Sequence, residues 1–166
     1  SRGCPHNCTF CTGKTIWGLG YRTRSIDSII NEIDVAINKY DISILNFEDD
    51  NIFAYPQRSY ELLKAFISFR KRSGSIFECA AMNGTSIENL NSDMISLMKK
   101  AGFNELNISL VSKSSELQSY YGRPFDTSHF YKIVQSAKAH SIHVRVYIIV
   151  GLPTQTKEEL NETIHY

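Results

Sequence analysis

Three of the four cysteines of this chain fall within eight residues, at Cys4, Cys8 and Cys11, and an aromatic residue, Phe10, precedes the last of them. Thiolates are the protein ligands of soft metals and of iron–sulfur clusters. A four-iron cluster held by only three thiolates has one iron that can bind a further ligand. The C-x3-C-x2-C spacing therefore predicts a metal or iron–sulfur site built from one short loop.

Two other uses of these thiols have to be weighed. A structural zinc site normally adds a second ligand pair about fifteen residues downstream, and this sequence has none there. His6 could complete a Cys3His zinc site, although it lies inside the same loop as its partners. A disulfide is a further alternative. The distant Cys79 sits in an apolar run and is interpreted as a small buried residue.

Composition narrows the class of protein. The chain has 166 residues, 42% of them hydrophobic, which is enough for one well-packed core, so we expect a single domain over residues 1–166. A formal net charge of +1 does not indicate a nucleic-acid partner. The longest apolar run, Val146 to Leu152, is too short to cross a membrane, and the first residues do not resemble a leader peptide. These features predict a cytoplasmic protein without a membrane partner.

Helix-type and strand-type patterns alternate along the chain. Ser25 is a candidate N-cap for a helix whose apolar residues recur from Ile26 to Ile37, and Thr156 with Glu159 forms a capping box for the last helix. Between them we expect three further helices, around 62–67, 95–101 and 130–137. The predicted strands are Ile42 to Phe47, Ile76 to Met82, Leu106 to Val111 and Val144 to Val150.

This alternation predicts an α/β fold with right-handed crossovers and a parallel sheet. An open sheet and a barrel are the two candidate architectures. The pattern shows four strands, the cysteine loop comes before all of them, and the last helix is followed by no strand. We therefore expect a parallel partial (β/α) barrel that is incomplete at both ends.

The same residues resemble a known family. The segments SRGCPHNCTFC, YRTRSIDSIINEI, FEDDNIF and YIIVGLPTQT occur in the order expected for radical S-adenosylmethionine (SAM) enzymes, and the first two resemble the cobalamin-binding branch most. The resemblance implies a TIM-like barrel in which Cys4, Cys8 and Cys11 bind a [4Fe–4S] cluster. It further implies that SAM ligates the fourth iron and is cleaved to a 5′-deoxyadenosyl radical. A reductant such as flavodoxin or ferredoxin would supply the electron, and cobalamin would come from a domain outside this chain.

The resemblance also assigns roles around the cofactor. Phe10 would lie near the adenine, although simple packing of the loop explains it equally. Glu48, Asp49 and Asp50 follow a predicted strand, at the end where parallel barrels bind ligands, and would hold the methionine amino group. The alternative for these acids is a turn that satisfies its own backbone. Arg123 would bind the cofactor carboxylate or be an ordinary surface arginine.

The remaining expected contacts come from the last two predicted strands. Relatives often carry Glu-Ser at the end of the third strand, whereas this chain has Val111 followed by Ser112. Ser112 would contact the ribose, or Ser109 would replace it, unless Ser109 only bonds within the barrel. Ile149 and Gly151 would line the adenine, although the nearby Tyr147 stands where the family often has glycine.

Two classes of function follow. The first is a radical SAM enzyme core acting on an unidentified substrate, by methyl transfer, ring formation or a similar reaction. RNA methylthiolation and porphyrinogen oxidation are alternatives within that class, because they use related cores. The second class is a binding module that zinc or a cluster stabilises without catalysis.

Overall fold

Helices and parallel strands alternate in the computed structural model, which describes residues 1–18 and 20–166. The strands are β1 (Ile44–Asn46), β2 (Glu78–Ala80), β3 (Glu105–Val111) and β4 (His143–Ile148). The helices are α1 (Gly13–Trp17), α2 (Ile26–Tyr40), α3 (Pro56–Ser73), α4 (Ser92–Ala101), α5 (Ser115–Tyr120), α6 (Thr127–Ala139) and α7 (Lys157–Ile164). The predicted α/β class is confirmed.

The strands are neighbours in chain order. β1 pairs with β2 and β3 pairs with β4, both in parallel register. Two isolated parallel bridges, Cys79 with Phe103 and Thr85 with Ile108, join the two pairs. A succession of parallel strands, each followed by at least one helix, is the arrangement that brings ligand sites to the carboxyl ends of the strands.

The first two strands are shorter than predicted. β1 and β2 pair over only three residues each, and Ile76, which the prediction placed in the second strand, is 87% exposed. A β-branched residue such as Ile76 favours a strand, but a strand extends only as far as the neighbouring strand offers backbone hydrogen bonds. The prediction also missed α1 and α5, whose five and six residues are too few to show helical periodicity.

Helix starts were the most predictable boundaries. The Ser25 hydroxyl accepts a hydrogen bond from the Ser28 N–H at 3.2 Å, and Thr156 and Glu159 form the reciprocal bonds of a capping box. Each such cap satisfies backbone donors that have no partner within the helix, and contributes about 1 kcal/mol. Both predicted caps are therefore confirmed.

Two apolar clusters hold the strands to the helices. The main core packs α3 and α4 against the sheet and includes Leu63, Phe66, Met94 and Phe103, all fully buried. A smaller cluster, called here the Tyr121 cluster, consists of Val111, Leu117, Tyr121 and Leu152. It joins the ends of β3 and α5 to the turn after β4, beside the cysteine loop.

Gly102, which ends α4, offers a test of this packing. Its φ is +110°, and a Cβ there would lie 2.8 Å from the backbone oxygen of Phe77. Gly74, which ends α3, also has positive φ (+68°) but has open space around it. We expect Gly102→Ala to lower the free energy of unfolding by clearly more than Gly74→Ala, which should cost only the left-handed penalty of about 1–2 kcal/mol. Equal losses in urea denaturation would contradict the packing at Gly102.

Candidate active site

A cavity of about 290 Å³ lies at the carboxyl ends of the strands. The cysteine loop bounds the cavity on one side. On the other side lie residues that follow β1, β2 and β4, together with residues near the end of β3. Eight of the residues singled out in the sequence line it, namely Cys4, Cys8, Phe10, Cys11, Asp50, Ser109, Arg123 and Ile149. Residues from distant parts of the chain thus meet around one space.

The cysteine loop is anchored to the Tyr121 cluster. The Thr9 N–H donates to the backbone oxygen of Tyr121 at 3.1 Å, and the ring of Phe10 lies 5.9 Å from that of Tyr121, centroid to centroid. The Tyr121 hydroxyl in turn donates to the backbone oxygen of Pro153 at 2.6 Å. Tyr121 therefore connects the cysteine loop to the turn after β4.

Backbone contacts at two glycines tie the cysteine loop to its surroundings. The Gly3 N–H donates to a carboxylate oxygen of Asp50 at 3.1 Å, which ties the start of the loop to the segment after β1. At Gly122, a Cβ would lie only 3.1 Å from the backbone oxygen of Asn7. A larger residue at this position would push away the segment that carries Arg123.

The three loop thiols are free and differ in environment. Cys8 is buried, Cys4 is partly buried and Cys11 is exposed. Burial raises the pKa of Cys4, while a backbone hydrogen bond from His6 and the positive charge of Arg123 oppose that rise. Iron binds the thiolate form of cysteine, so the hydrogen bond from His6 and the charge of Arg123 both favour Cys4 as a ligand.

Cys79 stands apart from the other cysteines. Its side chain is buried against the backbone oxygen of Ala101, 3.5 Å away, and it is not among the residues around the cavity. Burial raises its pKa to about 12, which keeps it a neutral thiol. Its interpretation as a core residue agrees with this packing.

The donor set fits an iron–sulfur cluster. In residues 1–18 and 20–166, no group of three or more His, Cys, Asp and Glu side chains is arranged to hold one metal ion. A zinc site brings its ligands within about 2.3 Å of a single ion, whereas each thiolate of a [4Fe–4S] cluster can bind a separate iron. Three free thiols around an open cavity suit the second arrangement.

His6 already has a partner in the core. Its Nε2 lies 2.9 Å from the hydroxyl of Ser86 and 4.0 Å from a carboxylate oxygen of Glu88. Burial lowers the pKa of His6, the charge of Arg123 lowers it further, and Glu88 acts in the opposite direction. The hydrogen bond to Ser86 fixes the orientation of the His6 ring at the wall of the cavity.

The three acids after β1 separate into different environments. Asp50 lines the cavity, while Asp49 accepts a hydrogen bond from the Ser1 hydroxyl. Glu48 accepts hydrogen bonds from Asn46 and, at 3.2 Å, from Asn83. Of the three, the structure brings only Asp50 to the cysteines.

The two serines after Asn107 also separate, because Ser109 lies within β3 whereas Ser112 follows the irregular end of that strand. Ser109 and Val111 line the cavity, whereas Ser112 points the other way and is fully buried, with its hydroxyl 3.2 Å from that of Thr163. Gly151 is exposed and lies outside the cavity, and its N–H donates to Gln155 at 2.9 Å. The expected contacts of Ser112 and Gly151 therefore lack support from this geometry.

Sequence reasoning missed several cavity residues. They are Gly13, Lys14, Asn51, Asn83, Gly84, Ser86 and Val111, together with His6 and Tyr147, which were considered for other reasons. The segment 83–86 follows a predicted strand, so the rule that placed the acids at the site applied to it equally. Asn51 directly follows those acids but carries no charge, and no motif drew attention to it.

Comparison with known proteins identifies the family. The family model described as the radical SAM superfamily matches residues 1–166. The chain belongs to the radical SAM superfamily. Membership implies a [4Fe–4S] cluster and S-adenosylmethionine as cofactors, as the cysteine motif suggested.

Curated relatives of this radical SAM chain include methyltransferases. An uncharacterized methyltransferase of Pyrococcus horikoshii is 27% identical over 167 residues, covering all of this chain and 35% of that protein. Cytidylyl-2-hydroxyethylphosphonate methyltransferase of Streptomyces wedmorensis is 27% identical over 154 residues, or 92% of this chain and 28% of that protein. The chain thus spans about a third of the length of these relatives.

A solved structure shows the same fold. The radical SAM methyltransferase TsrM from Kitasatospora setae, with cobalamin and a [4Fe–4S] cluster bound, matches 98% of this chain with a TM-score of 0.85. The identity is 16%, and the match covers 32% of that protein. At this identity the likeness concerns the fold, and it confirms the predicted radical SAM type of α/β architecture.

A membrane-spanning helix was not found. Within residues 1–18 and 20–166, every helix is too short or too polar to cross a bilayer.

Proposed function

We propose that this radical SAM chain binds a [4Fe–4S] cluster through Cys4, Cys8 and Cys11 and S-adenosylmethionine in the adjoining cavity, as the core of an enzyme. The observation that carries the proposal is the single cavity shared by three free thiols, a carboxylate and a guanidinium. When bound, the cluster supplies the electron that cleaves the sulfonium of S-adenosylmethionine. The protein itself binds the cofactor, orients it and limits the access of water.

The charged residues of the cavity suit the two ends of an amino acid. Asp50 would pair with the ammonium group of the methionine moiety, and Arg123 would hold its carboxylate with two parallel hydrogen bonds. Neither the Asp50 nor the Arg123 side chain forms an ion pair within the described residues, and both border the cavity. Their charges are therefore available to a ligand.

The less polar residues suit the nucleoside. Phe10 and Ile149 present apolar surface for the adenine, and Ser109 offers a hydroxyl for the ribose. Ser109 replaces Ser112 in this role, since Ser112 is buried against α7. Glu48 and Asp49 would support the site from outside by fixing the segment that ends in Asp50.

The reaction class that we propose is methyl transfer with cobalamin bound by a part of the protein outside residues 1–166. Two named curated relatives and a solved structure of the same fold are methyltransferases, and the solved one contains cobalamin. A small reductant protein such as flavodoxin or ferredoxin would supply the electron.

Anaerobic reconstitution with iron and sulfide tests the cofactor proposal. We expect a brown protein that binds four irons and four sulfides per chain, which is the stoichiometry of a [4Fe–4S] cluster. Addition of S-adenosylmethionine should change the electron paramagnetic resonance spectrum of the reduced cluster, because the cofactor binds the open iron. A colourless protein that binds one zinc ion would instead support the binding-module alternative.

Asp50 should contribute to cofactor affinity without holding the cluster. Asp50→Asn keeps an oxygen acceptor for Gly3 N–H but removes the charge that would face the ammonium group. A hydrogen bond to a charged group contributes about 1.5–3 kcal/mol, so we expect the affinity for S-adenosylmethionine to fall about tenfold or more. Glu48→Gln is the matched control and should change affinity little. Isothermal titration of the reconstituted proteins measures both, and equal losses would contradict the assignment of Asp50.

A further inference from the structure

The first 26 residues carry charge of one sign only. They contain four of the chain's 18 Lys and Arg residues and none of its 17 Asp and Glu residues, although the formal net charge of the whole chain is only +1. The four cations are exposed, and they are Arg2, Lys14, Arg22 and Arg24. Arg24 is paired with Glu32, whereas the other three form no salt bridge within residues 1–18 and 20–166. Unpaired positive charge therefore surrounds the cysteine loop.

Trp17 holds two of these cations in place. The backbones of Arg2 and Arg22 form an antiparallel bridge with two reciprocal hydrogen bonds of 2.9 Å. The guanidinium of Arg2 lies over the Trp17 ring, 5.4 Å from its centroid, and that of Arg22 donates to the Trp17 backbone oxygen at 2.9 Å. The two guanidinium groups are thus held close together on one surface.

This surface adjoins the cysteine loop at both ends. Arg2 lies two residues before Cys4, and α1 begins two residues after Cys11. The sulfur of Cys11 accepts a hydrogen bond from the Gly13 N–H, the first residue of α1, at 3.3 Å. Trp17 is four residues further along α1, a rise of about 6 Å. Trp17 and the cations that it holds therefore lie about one helical turn from a proposed cluster ligand.

The helix that carries Trp17 also exposes apolar area. None of the five residues of α1 is buried, and Ile16 is 66% exposed. Trp and Arg are the residue types that most often dominate the binding energy of protein–protein interfaces. We call the surface formed by Arg2, Trp17 and Arg22 the basic face. Electron-transfer complexes are among the smallest interfaces, below about 1,200 Å² in total, so a compact face can serve one.

We propose that the basic face is the docking surface for a small acidic electron-carrier protein that reduces the cluster. This inference rests on the proposed function, because it requires a cluster at the three cysteines. In the step that it serves, the reduced flavin or iron–sulfur centre of the carrier is oxidised by one electron and the cluster is reduced by one. Positive charge beside the loop steers an acidic carrier toward the cluster, and such steering raises association rates about 10- to 1,000-fold at low salt.

Stopped-flow reduction of the reconstituted protein by flavodoxin hydroquinone tests the proposal. Arg2→Gln combined with Arg22→Gln removes both charges of the basic face but keeps polar side chains. We expect the second-order rate constant of cluster reduction at low ionic strength to fall about tenfold or more. The difference from the wild type should shrink in about 0.5 M NaCl, because salt screens charges that lie further apart than the Debye length.

Two controls isolate the role of the basic face. Lys64→Gln combined with Lys71→Gln removes the same net charge from exposed positions of α3 that do not border the cavity. This variant should be reduced at the wild-type rate. Photoreduced deazaflavin, a small reductant that needs no docking surface, should reduce the cluster completely in the wild type and in both variants.

The outcomes separate the inference from the proposed function. A wild-type rate in the double arginine variant would overturn the inference, and so would an equal loss of rate in the double lysine variant. Loss of single-stranded RNA binding in the arginine variant, with an unchanged rate of reduction, would overturn it in favour of a nucleic-acid partner. A wild-type protein that takes up no cluster, or whose cluster deazaflavin does not reduce, would contradict the proposed function itself.

Arg22→Gln alone keeps the test decisive if the double arginine variant takes up no cluster. The bridge between the backbones of Arg2 and Arg22 does not depend on the Arg22 side chain, so the start of the loop should stay in place. We expect the rate of reduction by flavodoxin to fall about threefold or more. An unchanged rate in this variant would overturn the inference.

Discussion

Replacing any one of Cys4, Cys8 or Cys11 by alanine is expected to abolish the iron–sulfur cluster. Each thiolate would bind a different iron, so the loss of one leaves two irons without a protein ligand where the native site has only one. The three thiols share one loop and one cavity, and the fourth cysteine, Cys79, does not border that cavity. Iron and sulfide analysis after anaerobic reconstitution should show near-complete loss in each variant.

Cys79→Ala provides the matched control. Cys79 is buried against α4, and its pKa of about 12 keeps it protonated. The substitution should cost some stability, about 1 kcal/mol for a small cavity, but leave iron and sulfide content unchanged. Loss of the cluster in Cys79→Ala together with its retention in Cys4→Ala would refute the assignment of the ligands.

Gly84→Val is expected to abolish binding of S-adenosylmethionine while sparing the cluster. Gly84 borders the cavity with a φ of +87°, and a Cβ there would lie 2.5 Å from the Ser109 hydroxyl oxygen and 3.5 Å from the Tyr147 ring. The valine methyl groups would extend further into the space proposed for the cofactor. We expect a loss of affinity of well over tenfold, more than about 1.4 kcal/mol, in anaerobic titration calorimetry.

Gly74→Val distinguishes the effect of backbone strain from the effect of blocking the cavity. Gly74 has a similar φ of +68°, but it ends α3, away from the cavity, with open space around it. Gly74→Val should therefore lose stability from backbone strain while its cofactor affinity stays unchanged. If both variants bound S-adenosylmethionine as tightly as the wild type, the cofactor would not occupy this cavity.

The order of the long helices and the strands could be predicted well from the sequence, and the cysteine loop could be proposed as a metal site, because both depend on local signals. Apolar periodicity marked the long helices, side-chain caps marked their starts, and the cysteine spacing needed no tertiary information. Strand ends were less predictable, as Ile76 illustrates: its side chain favours a strand, yet the pairing of β1 with β2 does not reach it. Whether a residue finds a hydrogen-bonding partner on a neighbouring strand depends on how the whole sheet is assembled.

The site residues divide in the same way. Asp50 and Ser109 could be selected as part of small groups, but the choice within each group depends on which way a side chain points. Ser112 shows this, because its hydroxyl lies against Thr163 although it is only three residues from Ser109, which borders the cavity. The hydrogen bond between Asn51 and Ser86 could not be predicted, since it spans 35 residues of sequence and becomes visible only in three dimensions.

The position of Tyr121 has a consequence for biosynthesis. A ribosome makes about 5–20 residues per second, so the cysteine loop emerges several seconds or more before Tyr121 and Pro153, which anchor it. During that interval the thiols belong to a nascent chain without its anchors, exposed to oxidants and to competing metal ions. Iron loading should therefore follow translation beyond the turn after β4, so synthesis of these anchors, more than synthesis of the motif, would set the time of cofactor delivery.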